Sequence, residues 1–289
     1  MNRLPATPPF LGTRSDAPIA CAPAILGVPY DKTASFRKGT REGPNAIRDV
    51  SDAGIETYSP TQNKDLEELT FSDLGNLTIE PEAAPETVVA ALHAAVGELF
   101  AAKAIPIVLG GEHSISPGAI HAAFERHPDL AVIQFDAHAD LRESYEGTPH
   151  SHACAMRRVL DFLPADRLLQ VGIRSGTAGE FREMRDAERL IEAEFQAVDT
   201  AIQSRGWERV PIWITFDFDV FDPSELPGTG TPEAGGMTWR EFEEIRPLFD
   251  ALNIVGIDLV ELSPQLDPSG ISAVLAAKLL REWLLLMAN

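Results

Sequence analysis

Short apolar segments alternate with longer helical patterns along most of the chain, and this alternation restricts the fold more than any other feature. Several of the apolar segments are continuous, as expected for strands that are covered on both faces. A regular succession of strands and helices predicts a mostly parallel sheet of about eight strands between two helical layers, a three-layer α/β/α fold. The candidate strands are residues 23–29, 69–74, 105–109, 130–136, 167–173, 194–198, 210–216 and 254–260.

The chain of 289 residues contains no interior segment that resembles a linker and no internal repeat. This length suits one large α/β domain. Residues 1–18 are expected to form a loose N-terminal arm, because they begin with a polar, proline-rich stretch. Residues 19–289 are then predicted to form a single domain.

The formal net charge is -20, from 44 Asp and Glu against 24 Lys and Arg. A chain of this charge repels nucleic acid phosphates and anionic membrane surfaces, so neither is expected as a partner. It attracts metal ions and cationic substrates, although surface acids can also serve solubility alone. The two cysteines lie far apart, no signal segment is present, and the apolar runs are too short to span a bilayer. These features predict a cytoplasmic protein.

Three polar motifs each follow a predicted strand at its carboxyl end, which is where ligands bind in open α/β sheets. They are GGEHS at residues 110–114, DAHAD at residues 136–140 and TFDFDVFDP at residues 215–223. In the last two motifs the acids alternate with apolar residues, and this composition is not that of a solvated turn. Structural alternatives exist: His113 could be a hydrogen-bonding residue at a helix start, residues 136–140 a solvated loop, and Asp222 the start of a turn.

The motifs together offer two histidines and four aspartates as metal ligands: His113, Asp136, His138, Asp140, Asp217 and Asp219. This number exceeds the three or four protein ligands of a zinc site and suits a bridged pair of metal ions. Oxygen-rich ligation with some imidazole favours Mn²⁺. Such a pair lowers the pKa of a bound water and thereby provides a nucleophile at neutral pH.

The three motifs, in this order, resemble those of the ureohydrolases, the family of arginase and agmatinase. The likeness extends over nearly the whole chain. Residues 39–44 (GTREGP) with 46–48 (AIR) look like the N-terminal signature of the family, and residues 73–75 (DLG) are also similar. Residues 227–232 (PGTGTP) with 235–236 (GG) are similar to its glycine-rich stretch.

The resemblance implies a role for each ligand in a site that holds two Mn²⁺ per subunit. Asp136 and Asp217 would bridge the two ions. His113 and Asp140 would complete the shell of one ion, and His138 and Asp219 the shell of the other. Relatives form trimers or hexamers, so a homo-oligomer is expected.

The resemblance also implies the groups that handle the substrate, a small cationic guanidino compound. Glu261 matches the acid that pairs with the guanidinium, and a carboxylate can accept such a planar cation through two bonds. His152 matches a loop histidine that protonates the leaving amine, with His150 as a nearby competitor. Arg142 and Glu143 differ from the polar stretch by which arginases hold an amino acid, so they are candidate substrate-binding residues that favour agmatine.

The predicted reaction is therefore the hydrolysis of agmatine to putrescine and urea, a step of polyamine metabolism. N1-aminopropylagmatine, guanidinobutyrate and arginine are the alternative substrates within the family. A zinc-dependent polyamine deacetylase, which needs only one metal, and a non-catalytic paralogue are alternatives of other classes.

Overall fold

The computed structural model describes residues 2–13 and 15–287. Within them the strands are β1 (Arg3–Leu4), β2 (Pro23–Val28), β3 (Tyr58–Ser59), β4 (Lys64–Asp65), β5 (Ser72–Leu77), β6 (Ile105–Gly110), β7 (Ala131–Phe135), β8 (Leu168–Val171), β9 (Leu190–Ile191), β10 (Pro211–Asp217) and β11 (Asn253–Val260). The α-helices are α1 (Gly43–Gly54), α2 (Pro85–Ala101), α3 (Ser116–Arg126), α4 (Ala155–Val159), α5 (Ala178–Asp186), α6 (Phe195–Arg205), α7 (Trp239–Ile245) and α8 (Ile271–Met287).

Nine of these strands form one central sheet in the order β1-β5-β2-β6-β11-β10-β7-β8-β9, and β3 pairs with β4 in a separate hairpin. In the sheet, β1 is antiparallel to β5, and all other neighbouring strands are parallel. The mostly parallel sheet of the sequence-based prediction is thus confirmed. Its ninth strand, β1, comes from the N-terminal segment.

The sheet separates two hydrophobic cores, because successive side chains of a strand point to opposite faces. Ile133 of β7 packs in the core that also contains α1, α6, α7 and α8 residues, whereas its neighbour Val132 packs in the core of α2, α3, α4 and α5 residues. Both side chains are fully buried. Helices therefore cover both faces, and the three-layer α/β/α architecture is confirmed.

One predicted strand was wrong. Residues 194–198 begin helix α6 (Phe195–Arg205), and the edge strand lies just before them as β9. The buried residues Val198, Ala201 and Ile202 follow helical spacing. A window of five residues is too short to show this period, which is why the segment could be mistaken for a strand.

The N-terminal segment is packed rather than loose. β1 extends the sheet next to β5, and Phe10 is fully buried, with its backbone N–H donating to Asp73 Oδ2 at 2.9 Å. Residues 1 and 14 of the predicted arm and residues 288–289 of the predicted domain lie outside the described residues. The boundary at residue 18 between arm and domain stays a prediction.

No helix within residues 2–13 and 15–287 combines the length and the apolar character that crossing a bilayer requires.

A buried ion pair joins two of the sequence signatures. Arg48 of α1 donates from Nε to Asp73 Oδ2 and from Nη2 to Asp73 Oδ1, both at 2.8 Å, and Nη1 donates to Asn76 Oδ1 at 2.7 Å. The side chain of Arg48 is 1 % exposed and that of Asp73 is fully buried. This bidentate pair fixes α1 against β5, beside the segment that leads into the site.

We expect Arg48→Met to lower the free energy of unfolding by about 3–5 kcal/mol, because it leaves the Asp73 carboxylate buried without its counter-charge. Chemical denaturation monitored by circular dichroism measures this change. Arg240→Met is the matched control, since Arg240 is 89 % exposed and pairs with Glu244 across the surface. The control is expected to change stability by less than about 1 kcal/mol. Equal stability of the two variants would contradict the role given to Arg48.

Candidate active site

Four adjacent strands bring the predicted ligands to one edge of the sheet. β6, β11, β10 and β7 are neighbours, and their carboxyl ends lead into His113, Glu261, Asp219 and Asp136 respectively. Because these strands are parallel, residues that are distant in sequence meet at this edge. The motifs of the sequence analysis therefore converge on one place.

The first group of ligand atoms surrounds the imidazole of His113. Its Nδ1 lies 3.0 Å from Asp136 Oδ2, 3.1 Å from Asp140 Oδ2 and 3.3 Å from Asp217 Oδ2. This buried nitrogen has no hydrogen-bond partner of proper geometry, although three carboxylate oxygens surround it. Lone pairs that converge without hydrogens between them are typical of a metal shell. His113, Asp136 and Asp140 could therefore hold a metal ion.

The second group shares Asp136 with the first. Asp136, His138 and Asp219 have ligand atoms within 4.8 Å of one another. His138 Nδ1 lies 2.9 Å from Asp219 Oδ2. Asp217 connects the two groups, since its Oδ2 faces His113 and its Oδ1 accepts the backbone N–H of Asp219 at 2.8 Å. All six predicted ligands are thus brought together: five form two groups that share Asp136, and Asp217 lies between the groups.

The ring of His113 is held in the tautomer that metal binding requires. Its Nε2 lies 2.9 Å from Thr215 Oγ1, and this hydroxyl donates to Asp258 Oδ1 at 2.7 Å. Because the Thr215 proton is directed at Asp258, the hydroxyl accepts from Nε2–H of His113. The Nδ1 lone pair then points into the carboxylate group. Asp258 is fully buried, and burial raises its pKa despite the donors around it.

Two buried glutamines orient the shared carboxylate. Gln134 of β7 donates from Nε2 to Asp136 Oδ2 at 2.7 Å, and Gln170 of β8 donates to Gln134 Oε1 at 2.8 Å. Both glutamines are fully buried. The other oxygen of Asp136 accepts the backbone N–H of His138 at 2.6 Å. Asp136 is therefore held on two sides and can serve both groups.

The charges of the cluster are not balanced by the protein alone. Burial and the charge of Asp136 raise the pKa of the Asp140 carboxyl to about 6. Burial and the charges of Asp219 and Asp136 raise the pKa of Asp217 well above its usual range. These carboxylates repel one another where water is excluded, and a divalent cation between them would remove that repulsion. The electrostatics of the site therefore fit a metal centre.

The convergence depends on backbone conformations that no strand rule predicts. β7 ends at Phe135, so strand geometry, which would place Asp136, His138 and Asp140 on one face, does not continue through these residues. Instead, Asp140 adopts φ = 52°, and Glu261, just after β11, adopts φ = 69°. Positive φ is uncommon for residues other than glycine and is concentrated at functional sites. These two turns direct the side chains inward.

A cavity of about 240 Å³ opens above the two groups. This volume lies slightly below the range of about 300–1,000 Å³ that is typical of ligand pockets, which fits a small substrate. The acids Asp140, Asp217, Asp219 and Glu180 line it. Both oxygens of Glu180 accept backbone N–H groups, from Leu141 and Thr177. These two hydrogen bonds partly compensate its negative charge.

The two predicted substrate-binding residues that follow DAHAD separate in the structure. Arg142 lines the cavity, with its guanidinium 4.7 Å from the centre of the Tyr145 ring. Glu143 does not line the cavity: its side chain is 78 % exposed, and it pairs with Arg157 and Arg158 at 3.3 and 3.5 Å. Glu143 was therefore misplaced by sequence reasoning, because side chains of adjacent residues point in different directions where the chain turns.

Glu261 and His152 form a pair beside the metal-binding groups. His152 Nδ1 lies 3.2 Å from Glu261 Oε1, and the same oxygen accepts the backbone N–H of His113 at 2.8 Å. Burial alone would lower the pKa of His152, but the hydrogen bond and the charge of Glu261 raise it to about 9. His152 is therefore protonated at neutral pH. His150 lies apart from this pair, with Nε2 3.8 Å from Glu86.

Sequence reasoning missed two residues of the site, Ser35 and Thr215. Ser35 lines the cavity and contacts His152, with Oγ 2.9 Å from Nε2. Ser35 lies in the segment that follows the carboxyl end of β2. Its position after a strand end was the one feature of the sequence that could have suggested it. Thr215 lies inside the motif TFDFDVFDP. Its hydroxyl contacts His113, a residue of another motif, and the spacing of residues within one motif does not predict such a contact.

Comparisons with known proteins agree with this geometry. A family model described as "Arginase family" matches residues 22–286. An agmatinase from Halalkalibacterium halodurans is 39% identical over 269 residues, which cover 90% of each chain. An N(1)-aminopropylagmatine ureohydrolase from Thermococcus kodakarensis is 38% identical over 89% of this chain and 87% of that one.

A solved structure extends the likeness to the fold. The crystal structure of agmatine ureohydrolase of Thermoplasma volcanium superposes with a TM-score of 0.80 at 34% identity, over 92% of this chain and 89% of that one. Residues 22–286, which the family model matches, contain the four strand ends and all six predicted metal ligands. With this fold, this site and these relatives, the chain belongs to the arginase family, whose members of this kind are ureohydrolases that cleave C–N bonds in linear amidines.

Proposed function

We propose that this protein hydrolyses agmatine to putrescine and urea with two Mn²⁺ per subunit. The observation that carries the proposal is the pair of ligand groups that share Asp136 at the floor of a small, acid-lined cavity. The agmatinase from H. halodurans and the other relatives suggest the guanidino substrate class. Agmatine carries a positive charge at each end. With Asp140, Asp217 and Asp219 assigned to the metal ions, Glu180 is the lining acid that remains for the end remote from the guanidinium.

The residues present fit a binuclear manganese centre. His113, Asp136, Asp140 and Asp217 would hold one ion, and Asp136, His138, Asp217 and Asp219 the other. Carboxylates dominate this donor set, and the free Nδ1 of His113 is already oriented for ligation. When bound, the two ions would supply Lewis acidity and an activated water for attack on the guanidinium carbon.

Glu261 is proposed to orient the guanidinium. Its Oε1 serves His113 and His152, and neither of these bonds uses Oε2. A carboxylate in this position favours a planar cation over a neutral amide. The charge of Glu261 would thus select the substrate class and also keep His152 protonated.

His152 is proposed to deliver the proton that the leaving amine nitrogen needs when the C–N bond breaks. Its side chain lines the cavity and is 11 % exposed, so substrate can reach the ring. The pKa of about 9 keeps the acid form available at neutral pH. His150 lies 3.8 Å from Glu86 and is not part of the cavity wall, which favours His152 over His150 for this role.

The other family substrates differ from agmatine at the end remote from the guanidinium. Guanidinobutyrate carries a carboxylate there, which Glu180 would repel and Arg142, the one arginine among the lining residues, would attract. Arginine carries both a carboxylate and an amine. N1-aminopropylagmatine is longer, so it requires an open path past Tyr145. Arg142 is proposed to shape this remote end of the site.

A substrate panel with a urea readout tests the proposal. The purified protein is incubated with added Mn²⁺ and with agmatine, N1-aminopropylagmatine, guanidinobutyrate or arginine. We expect the highest kcat/KM with agmatine and about two metal ions per subunit by elemental analysis. A single zinc ion together with amide hydrolysis would instead support a polyamine deacetylase. Absence of urea from every guanidino compound would refute the proposed function.

The predicted homo-oligomer, trimer or hexamer, and the cytoplasmic location stay predictions of the sequence analysis.

A further inference from the structure

His152 has a second hydrogen-bond partner that the proposed reaction does not yet use. Ser35 Oγ lies 2.9 Å from Nε2, and the backbone nitrogen of Ser35 lies 3.3 Å from the same atom, in a position to donate only when Nε2 carries no proton. On the opposite side of the ring, Nδ1 lies 3.2 Å from Glu261 Oε1. The imidazole is therefore held at both nitrogens, by Glu261 on one side and Ser35 on the other.

A serine is suited to both protonation states of the ring. When His152 is an imidazolium, both nitrogens are donors, and only the hydroxyl oxygen of Ser35 can accept from Nε2–H. When the ring has given up the Nε2 proton, Nε2 becomes an acceptor, and both the hydroxyl and the backbone N–H of Ser35 can donate to it. The same residue can therefore satisfy Nε2 before and after proton transfer.

The loop that carries Ser35, residues 31–39, is anchored to the site at its first end. Thr33 donates its backbone N–H to Glu112 Oε2 at 2.8 Å and its hydroxyl to Glu112 Oε1 at 2.5 Å. The hydroxyl oxygen of Thr33 also accepts the backbone N–H of His152 at 3.0 Å. Glu112 is fully buried and lies next to His113 in sequence. The first half of the loop thus holds the backbone of His152 while Ser35 holds its ring.

The other end of the loop is fixed as firmly. Arg37 donates to the carbonyl oxygens of Thr229 and Gly230 at 2.8 and 3.1 Å, and Ser263 Oγ donates to the carbonyl of Lys38 at 3.2 Å. Gly39 adopts φ = 128°, and a Cβ at this position would lie 1.3 Å from Gln265 Nε2. The loop therefore has little freedom to move Ser35 away from His152.

From this geometry we infer that Ser35 is a positioning residue of the reaction, which keeps the imidazole of His152 in one orientation through loss and recovery of its proton. This inference rests on the proposed function, in which His152 serves the leaving amine. The ring then needs no reorientation between the two states. The Nε2 proton passes to a leaving nitrogen that approaches Nε2 beside Ser35 Oγ, and the Ser35 hydroxyl then turns from acceptor to donor.

Ser35→Ala separates this role from a structural one. The alanine keeps the backbone N–H, which stabilises the neutral ring, and removes the oxygen that accepts from the imidazolium. We expect kcat for urea release to fall about tenfold with KM changed less than about twofold, since one hydrogen bond to a charged group is lost. We also expect the titration midpoint of His152 to move to lower pH by up to about one unit.

The titration is measured by NMR of the imidazole nitrogens, which requires no substrate. The charged groups that act on the ring are Glu261, Asp140 and Glu112, and all three stay in place in the variant. Ser35→Thr restores the hydroxyl and is expected to return both kcat and the midpoint toward wild type. Lys38→Ala is the matched control, because it truncates an exposed side chain of the same loop.

The results for Ser35→Ala distinguish a positioning role from a structural one. A Ser35→Ala variant with unchanged kcat and midpoint would overturn the inference. A fall in kcat without movement of the midpoint would also overturn it, because a structural defect explains that result. If the wild type releases no urea from any guanidino compound, the proposed function fails, whereas the NMR titration still reports whether Ser35 holds His152.

Discussion

Asp136→Asn is expected to lower kcat for urea release by at least about 10³-fold, the largest effect of any single substitution considered. Asp136 belongs to both ligand groups, and like Asp217 it is assigned to both metal ions, so its replacement weakens both sites together. Loss of the metals removes several kcal/mol of transition-state stabilisation, and about 1.4 kcal/mol corresponds to a factor of ten. Elemental analysis and urea assays with Mn²⁺ measure the two effects.

Thermal unfolding provides an independent measure of the same substitution. Mn²⁺ is expected to raise the melting temperature of the wild type, because it binds the folded chain, and to raise that of Asp136→Asn much less. Asp199→Asn is the matched control, since Asp199 is a partly exposed acid of α6 whose oxygens accept from Gln203. Full metal content and full turnover in Asp136→Asn would mean that the two groups are not the metal centre.

Glu261→Gln is expected to lower kcat/KM by about 10³-fold. The neutral amide loses the negative charge opposite the guanidinium and one of its two acceptor oxygens, and each charge-assisted hydrogen bond is worth roughly 1.5–3 kcal/mol. It also loses the charge that keeps His152 protonated, so kcat at saturating substrate should fall as well. Steady-state kinetics with agmatine separate the effect on binding from the effect on the proton donor.

The pH dependence of kcat tests whether Glu261 keeps His152 protonated. His152 must be protonated to act as an acid, and Glu261 is the main group that raises its pKa to about 9, against the opposing effect of burial. In the wild type, kcat should therefore decline as pH rises through about 9, or somewhat lower with divalent cations bound nearby. In Glu261→Gln the pKa of His152 falls, and the declining limb must move to lower pH.

Glu143→Gln is the control for this experiment. Glu143 is an exposed acid outside the cavity, so the same change of charge there should leave both kcat/KM and the pH profile within about twofold of wild type. If the declining limb of the kcat–pH profile stays in place in Glu261→Gln, then Glu261 does not control the pKa of His152. That result would leave the guanidinium contact as the remaining role of this acid.

Much of the site was predictable because its ligands are grouped in short motifs at strand ends. GGEHS, DAHAD and TFDFDVFDP supplied the six candidate metal ligands that the structure brings together, and four of the strands that carry site residues were located within a few positions. Acids that alternate with buried apolar residues need a counter-charge wherever they meet, so the chemistry was already implied. The failures were local, as in the segment around Val198, where a short window concealed a helix.

The contacts that control the site were not predictable, because they join residues that are more than a hundred positions apart. Ser35 reaches His152 across 117 residues, and Thr215 reaches His113 across 102. No spacing rule connects such pairs, since their distance depends on how the strands are ordered in the sheet. The placement of Glu143 outside the cavity has a more local origin, because its partners Arg157 and Arg158 lie on the next helix along the chain.

The amino-acid sequence by itself determined the strand–helix alternation, the donor set and the excess of acid that calls for cations. It could do so because local periodicity and residue chemistry are properties of short segments. Only the tertiary structure decided which nitrogen of His113 faces the carboxylates, how Asp140 and Glu261 turn inward at positive φ, and which hydroxyl holds His152. These outcomes depend on packing between parallel strands, where burial forces each polar group to find its partner in another part of the chain.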